Sequence, residues 1–134
     1  MVESKTGSKS GRILIVEDEP EIRENLQMFL EFEGFQIFSA SNGKEALDIL
    51  RTMATPCLIL LDLLMPVMTG REFLEAKSRE GRFAGIPVYV VSGIANAPHL
   101  MGTVGFVQKP IELDGFLKKV KEYCSPMNHG DEKA

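Results

Sequence analysis

The chain has 134 residues, 44% hydrophobic and 25% charged, and its 15 Lys and Arg against 19 Asp and Glu give a net charge of −4. A single domain runs roughly 100–200 residues, and the composition sits near the globular averages of about 45–50% apolar and about 25% charged, which excludes a multi-domain machine and wholesale disorder. The acidic balance lacks the basic excess that a phosphate backbone attracts, so nucleic acid is not expected as a direct partner.

Residues 1–10 are polar and read as a flexible tail, residues 11–124 as one folded domain, and residues 125–134 as a second flexible tail. The apolar run 13–16 is the first expected strand. Pro20 suits a first helical turn, Ile22, Leu26, Phe29 and Leu30 fall on one helical face, and Gly34 stops the helix. A second strand at 35–38 precedes Asn42, a cap for a helix carrying Ala46, Leu47 and Leu50. A third strand at 58–61 is followed by Thr69 and Glu72, a capping-box pair before Phe73 and Leu74. Runs at 88–91 and 106–107 supply two more strands, and Leu113, Phe116, Leu117, Val120 and Cys124 mark the last helix.

Several of these strands are continuously apolar, as strands covered on both faces are. Strict strand-helix alternation then predicts an α/β fold, a doubly wound five-stranded parallel sheet. No apolar run approaches the roughly 18 residues of a spanning helix, and no signal peptide is visible, so a cytoplasmic chain without membrane insertion is expected. Cys57 and Cys124 lie on apolar stretches and read as two reduced core thiols rather than a disulfide. With only His99 and His129 besides, zinc is excluded. Met28, Met65 and Met68 read as packing, and Phe106 taken alone reads as core.

In such a sheet the functional crevice lies beyond the carboxyl ends of the strands. The first run ends in Glu17 and Asp18, the third in Asp62, the fourth in Ser92, and the fifth, after Gln108, in Lys109. Three converging carboxylates repel unless a cation compensates them, and oxygen-only ligands open to water suit Mg²⁺. Lys109 adds a positive charge and Ser92 a hydroxyl donor, which together describe a place for phosphoryl oxygens, with Asp62 as a candidate nucleophile. Taken singly, the acidic pair is a helix-start signal, Ser92 a turn residue and Lys109 a solvated charge; the convergence carries the reading.

The motifs VEDEP at 16–20, DLLMP at 62–66, VSG at 91–93 and GFVQKP at 105–110 resemble the receiver domain of two-component response regulators, the family of the bacterial chemotaxis regulator. The resemblance covers about residues 11–124 and implies strand order 2-1-3-4-5, the flavodoxin-like arrangement. It implies that Asp62 accepts phosphate from a phosphohistidine on a histidine kinase or histidine phosphotransfer protein. Glu17 and Asp18, with Asp62 and the backbone carbonyl of Leu64, would bind Mg²⁺. Lys109 would bridge to the phosphoryl group, Ser92 and Phe106 would form the switch pair, and the output would go to an unknown downstream protein. With most of the chain assigned to five strands and their crossovers, a stand-alone module is expected.

Two departures from the family pattern stand out. Only sixteen residues separate Ser92 from Lys109, and the interval, punctuated by Gly93, Pro98, Gly102 and Gly105, predicts a shortened or irregular fourth helix. That places the usual output face in doubt. Leu64 and Ile94 are apolar where polar residues often occur, which predicts shielding of an acyl phosphate from water. The alternative to a phospho-accepting switch is a phosphate-independent pseudo-receiver that acts as a binding module. A dehalogenase-like phosphatase ranks lower because Leu64 stands where its second acid would, and a dinucleotide enzyme lower still because GxGxxG is missing.

Overall fold

A computed structural model of the chain describes residues 11–63, 65, 67–93, 100 and 102–127. Strands β1 (Arg12–Val16), β2 (Gln36–Ala40), β3 (Leu58–Leu61), β4 (Val88–Ser92) and β5 (Thr103–Gln108) alternate with helices α1 (Pro20–Phe32), α2 (Gly43–Thr52), α3 (Gly70–Ser78), the one-turn α4 (Gly81–Ala84) and α5 (Leu113–Tyr123). The sheet order is β2-β1-β3-β4-β5, and every pairing is parallel. This is the doubly wound five-stranded sheet that the apolar runs predict.

Alternate residues of each strand face opposite layers, and two cores result. Leu14, Val16, Ile59, Leu61, Val88 and Val90 pack with Leu47, Leu50 and Phe73 of α2 and α3. Ile13, Ile15, Leu58, Leu60 and Val91 pack with Leu26 and Leu30 of α1 and Phe116 and Val120 of α5 on the other face. The helix starts follow the local chemistry. Pro20 opens α1, the Asn42 side chain accepts a hydrogen bond from Glu45 N at 2.8 Å, and Thr69 and Glu72 form a reciprocal capping box. Gly34, with φ of 101°, turns the chain out of α1 where an L side chain would strain.

Three sequence readings are corrected or refined. Cys57 and Cys124 form a disulfide instead of two reduced thiols. Apolar periodicity assigns each cysteine to a buried stripe, but a separation of 67 residues carries no distance information; β3 and α5 bring the two Cα atoms to 5.5 Å, inside the bridgeable range of about 4.4–6.8 Å. Met28 is 65% exposed and is not packing, whereas Met65 is buried and Met68 packs against the α2–α3 core. β5 begins at Thr103, earlier than the apolar pair 106–107 suggests, because strand pairing to β4 runs from Val88↔Thr103 to Ser92↔Gln108. The expected irregular fourth helix falls on residues 94–99 and 101, outside the described residues, as does most of the crossover. Past α5 the chain stays in contact with the domain, with Met127 N donating to Gly34 O at 2.8 Å.

Candidate functional site

Because all five strands run the same way, the residues that follow them share one rim. β1 and β3 are neighbours at the centre, and α1 and α3 leave them on opposite faces, which opens a crevice between the two strand ends. The backbone ladder continues one residue past β1, β3 and β5 and pins the site residues. Glu17 N donates to Ala40 O and Asp62 N to Val16 O, each at 3.0 Å, and Lys109 N donates to Ser92 O at 2.8 Å.

Glu17, Asp18 and Asp62 each present an oxygen within 4.8 Å of the other two, and Glu17 and Asp62 are only 2% and 5% exposed. Lys109 Nζ lies 2.8 Å from Glu17 Oε1, 3.6 Å from Glu19 Oε1 and 3.9 Å from Asp62 Oδ2. The lysine is therefore paired foremost with Glu17. Burial pushes the Glu17 carboxyl above its usual range, against the hydrogen bonds from Lys109 and from Glu19 N. Burial acts to lower the Lys109 pKa, but the Glu17 hydrogen bond and the charges of Glu17, Asp62 and Glu19 outweigh it, and the pKa is raised.

Ser92 is fully buried at the end of β4. Phe106, opposite Val90 and on the same face of the sheet as Ser92, is partly buried against the α2–α3 core. Leu64 and Ile94, the apolar neighbours expected to shield the site, lie outside the described residues, as does His99.

Three contributors escape the sequence reading. Arg23 Nη1, one turn into α1, donates to Glu17 O at 2.8 Å and to Asp18 O at 3.5 Å, so it holds the acidic turn by its carbonyls. A basic residue five positions after an acidic pair that opens a helix is the signal that was available. Glu19 adds a fourth acid near Lys109. Gly70 lets α3 start against the loop that follows β3: a Cβ there would come within 2.7 Å of Leu63 Cα and 2.9 Å of Asp62 O. In the same loop the β-branched, exposed Val67 has φ of 66°, a left-handed conformation that costs roughly 1–2 kcal/mol for an L residue.

Among the described residues the candidate ligands are carboxylate oxygens, with one ammonium facing several acids. That chemistry fits a hard divalent cation, for which oxygen ligands and retained waters are the rule. Glu17, Asp18 and Asp62 form an acidic cluster that could hold such an ion.

Comparison with known proteins bears on what this rim does. Residues 13–121 match the family described as the response regulator receiver domain. The chain is 34% identical over 108 residues to the response regulator Rre1 of Synechocystis sp., covering 76% of this chain and 46% of Rre1. It thus spans less than half the length of that relative. Its fold is similar to that of the chemotaxis protein CheY4 of Vibrio cholerae, at 27% identity and a TM-score of 0.77 over 85% of this chain and 98% of that one. It is also similar to the response regulator TrrA of Thermotoga maritima, solved in complex with Mg²⁺-BeF, at 30% identity and a TM-score of 0.73 over 84% and 97%.

Proposed function

The chain belongs to the response regulator receiver family, a signalling switch of two-component systems rather than an enzyme, and from that premise we propose that Asp62 accepts a phosphoryl group from a phosphohistidine on a partner kinase or phosphotransfer protein. An Asp62 oxygen forms the new O–P bond as the P–N bond breaks, and the electron pair returns to the imidazole, which takes a proton from water. The observation that carries this reading is the convergence of Glu17, Asp18 and Asp62 within 4.8 Å, with Lys109 Nζ 3.9 Å from Asp62 Oδ2. A scaffold alone gains nothing from clustered, repelling carboxylates.

Glu17, Asp18 and Asp62 would hold Mg²⁺, with the Leu64 carbonyl as a further expected contact; the ion supplies positive charge that offsets the carboxylates and phosphoryl oxygens. The Mg²⁺-BeF complex of TrrA supports extending that chemistry to this chain. Lys109 then exchanges its 2.8 Å contact with Glu17 for the phosphoryl oxygens. The Ser92 hydroxyl follows the new group, and Phe106, on the same sheet face, fills the space vacated. That couples the charge at the rim to the surface near β5 by shifting a pre-existing equilibrium. The partner that reads this surface is a protein, and the kinase docks at the same rim.

One observation favours a phosphate-independent module: the ion pair between Lys109 and Glu17 satisfies both groups without any added ligand. Mass measurement after incubation with Mg²⁺ and acetyl phosphate separates the two readings. The expected result is a gain of one phosphoryl group that Asp62→Asn abolishes. No gain, together with no Mg²⁺ binding, leaves the binding module.

A further inference from the structure

α1 and α5 cover the same face of the sheet, and a cavity of about 480 Å³ lies between α1 and the start of α5, lined by Ile22, Leu26, Phe29, Ile111 and Leu113. The apolar surface continues past its edge. Phe32 is 85% exposed and Met28, one turn before it on α1, is 65% exposed. At about 100° per residue Phe32 falls between Phe29 and Met28 around the helix, so the three form one stripe leading outward from the cavity. Beyond Met28 come Glu24 and Glu31, both exposed. On α5 the row of Leu113 and Leu117 is followed around the helix by Lys121 and Lys118, also exposed, with Asp114 as the one acid on that edge, in the first turn. Lys119 and Glu122 pair with each other on the far side. The outward surface is thus an apolar centre with an acidic edge on α1 and a mainly basic edge on α5.

Among the described residues Glu24, Lys118 and Lys121 take part in no ion pair. The acidic end of α1 is unfavourable by itself: Glu31 and the C-cap Glu33 stand at the negative end of the helix dipole, and the last turn holds no base. A cation brought from outside offsets this. An exposed Phe beside acids is complementary to a surface that is apolar within and basic at its edge, and α5 of this same chain has that composition. We propose that the α1–α5 face pairs with the same face of a second copy, α1 of each over α5 of the other, about a two-fold axis parallel to the helices. Both helices run from the carboxyl end of the sheet to its amino end, and such an axis preserves depth below the rim. At 1.5 Å per residue Glu24 lies about 6 Å below the start of α1 and Lys118 about 7.5 Å below the start of α5, with Glu31 and Lys121 at about 16 Å and about 12 Å. Acids then meet lysines, and Met28 and Phe32 are covered. An axis perpendicular to the helices would set α1 on α1 and acid on acid, which is repulsive.

Sedimentation velocity of the full chain over a concentration series, with no phosphodonor present, tests the pairing apart from phosphoryl transfer. The expected result is a reversible monomer–dimer equilibrium that weakens about tenfold or more as salt rises from about 0.05 M to about 0.5 M, because charges at the edge of an interface are screened. Phe32→Ser is expected to weaken it about tenfold or more, as loss of an aromatic anchor does, without lowering the melting temperature of the monomer. Two charge-reversed variants give the decisive arm: Glu24→Lys with Glu31→Lys, and Lys118→Glu with Lys121→Glu. Each alone is expected to stay monomeric, and an equimolar mixture to associate about as tightly as the parent, since both α1–α5 contacts are then complementary again. A parent that remains monomeric at millimolar concentration, as it would if the face served only a different protein, overturns the proposal. A dimer unaffected by the lysine reversals, or two folded variants that fail to associate with each other, overturns it as well.

Discussion

The two ends of the sheet are built on opposite principles. At the amino end of the strands a disulfide adds to the backbone bonds: Cys57 and Cys124 are bonded, Cys57 N donates to Arg12 O at 2.9 Å, Gln36 N to Gly11 O at 2.8 Å, and Met127 N to Gly34 O at 2.8 Å. At the carboxyl end Glu17, Asp18 and Asp62 are crowded together, and Val67 sits in a left-handed conformation in the loop beside them. The contrast shows where this domain stores order and where it stores tension. A signalling site needs charges that a ligand can relieve, and a fold can hold them only if its other end contributes the stability.

The largest test of that division is to cut the tie. The bridge closes a loop across a 67-residue separation, and such a loop stabilises by about 2–4 kcal/mol, chiefly through the unfolded chain. Denaturant titration with and without a reducing agent, and of the Cys57→Ala, Cys124→Ala double variant, should show a loss of that order. Mg²⁺ affinity and phosphoryl acceptance at Asp62 should stay within about twofold, since the bridge and the crevice lie at opposite ends. If reduction abolishes Mg²⁺ binding while the domain stays folded, the two ends are not independent.

Gly70 probes the other end. A methyl group there meets backbone atoms of Asp62 and Leu63, which cannot swing aside as a side-chain tip can. Gly70→Ala is expected to cost about 1–3 kcal/mol, the range for overpacking. It should also slow acquisition of phosphate from acetyl phosphate several-fold, because the loop carrying Asp62 must shift. A variant that loses stability but keeps the parent rate would show that α3 supports the fold without positioning the aspartate.

The sequence displays some of this plainly and hides the rest for physical reasons. Strands β1, β3 and β4 are legible because burial on both faces makes them continuous apolar runs, and the Asn42 and Thr69 caps because capping is a local interaction with fixed spacing. The rim residues follow from the sheet, since parallel strands bring their ends together. The disulfide does not, because two apolar stripes 67 residues apart carry no statement about distance. Nor does the identity of Lys109's partner, as a rim with several acids leaves open which one the ammonium takes; Glu17 wins at 2.8 Å over Asp62 at 3.9 Å. Lys77 is hidden for the converse reason. A lysine on a helix reads as solvated surface, and only packing of α3 against α4 encloses it.

The smallest effect tests whether every acid on the rim is a source of tension. Glu45, at the start of α2, accepts hydrogen bonds from Ser41 N at 2.6 Å and Ser41 Oγ at 2.8 Å, and those bonds hold its pKa below the ordinary value of 4.5. Its carboxylate also lies in the first turn, where negative charge favours a helix N-terminus. The shift is opposite in sign to that of Glu17. A folded-state pKa below the unfolded one means that stabilisation is fully present above about pH 4.5 and is lost as pH falls through the lower, folded value. Since the group is exposed to solvent, Glu45→Gln should lower stability by no more than roughly 0.3–1 kcal/mol at neutral pH. The gap between parent and variant should close below pH 4.5. Denaturant midpoints of both proteins measured from pH 7 to pH 3 decide the matter. A gap that widens on acidification would place Glu45 with the strained crevice acids, and the division would then run between the whole rim and the far end.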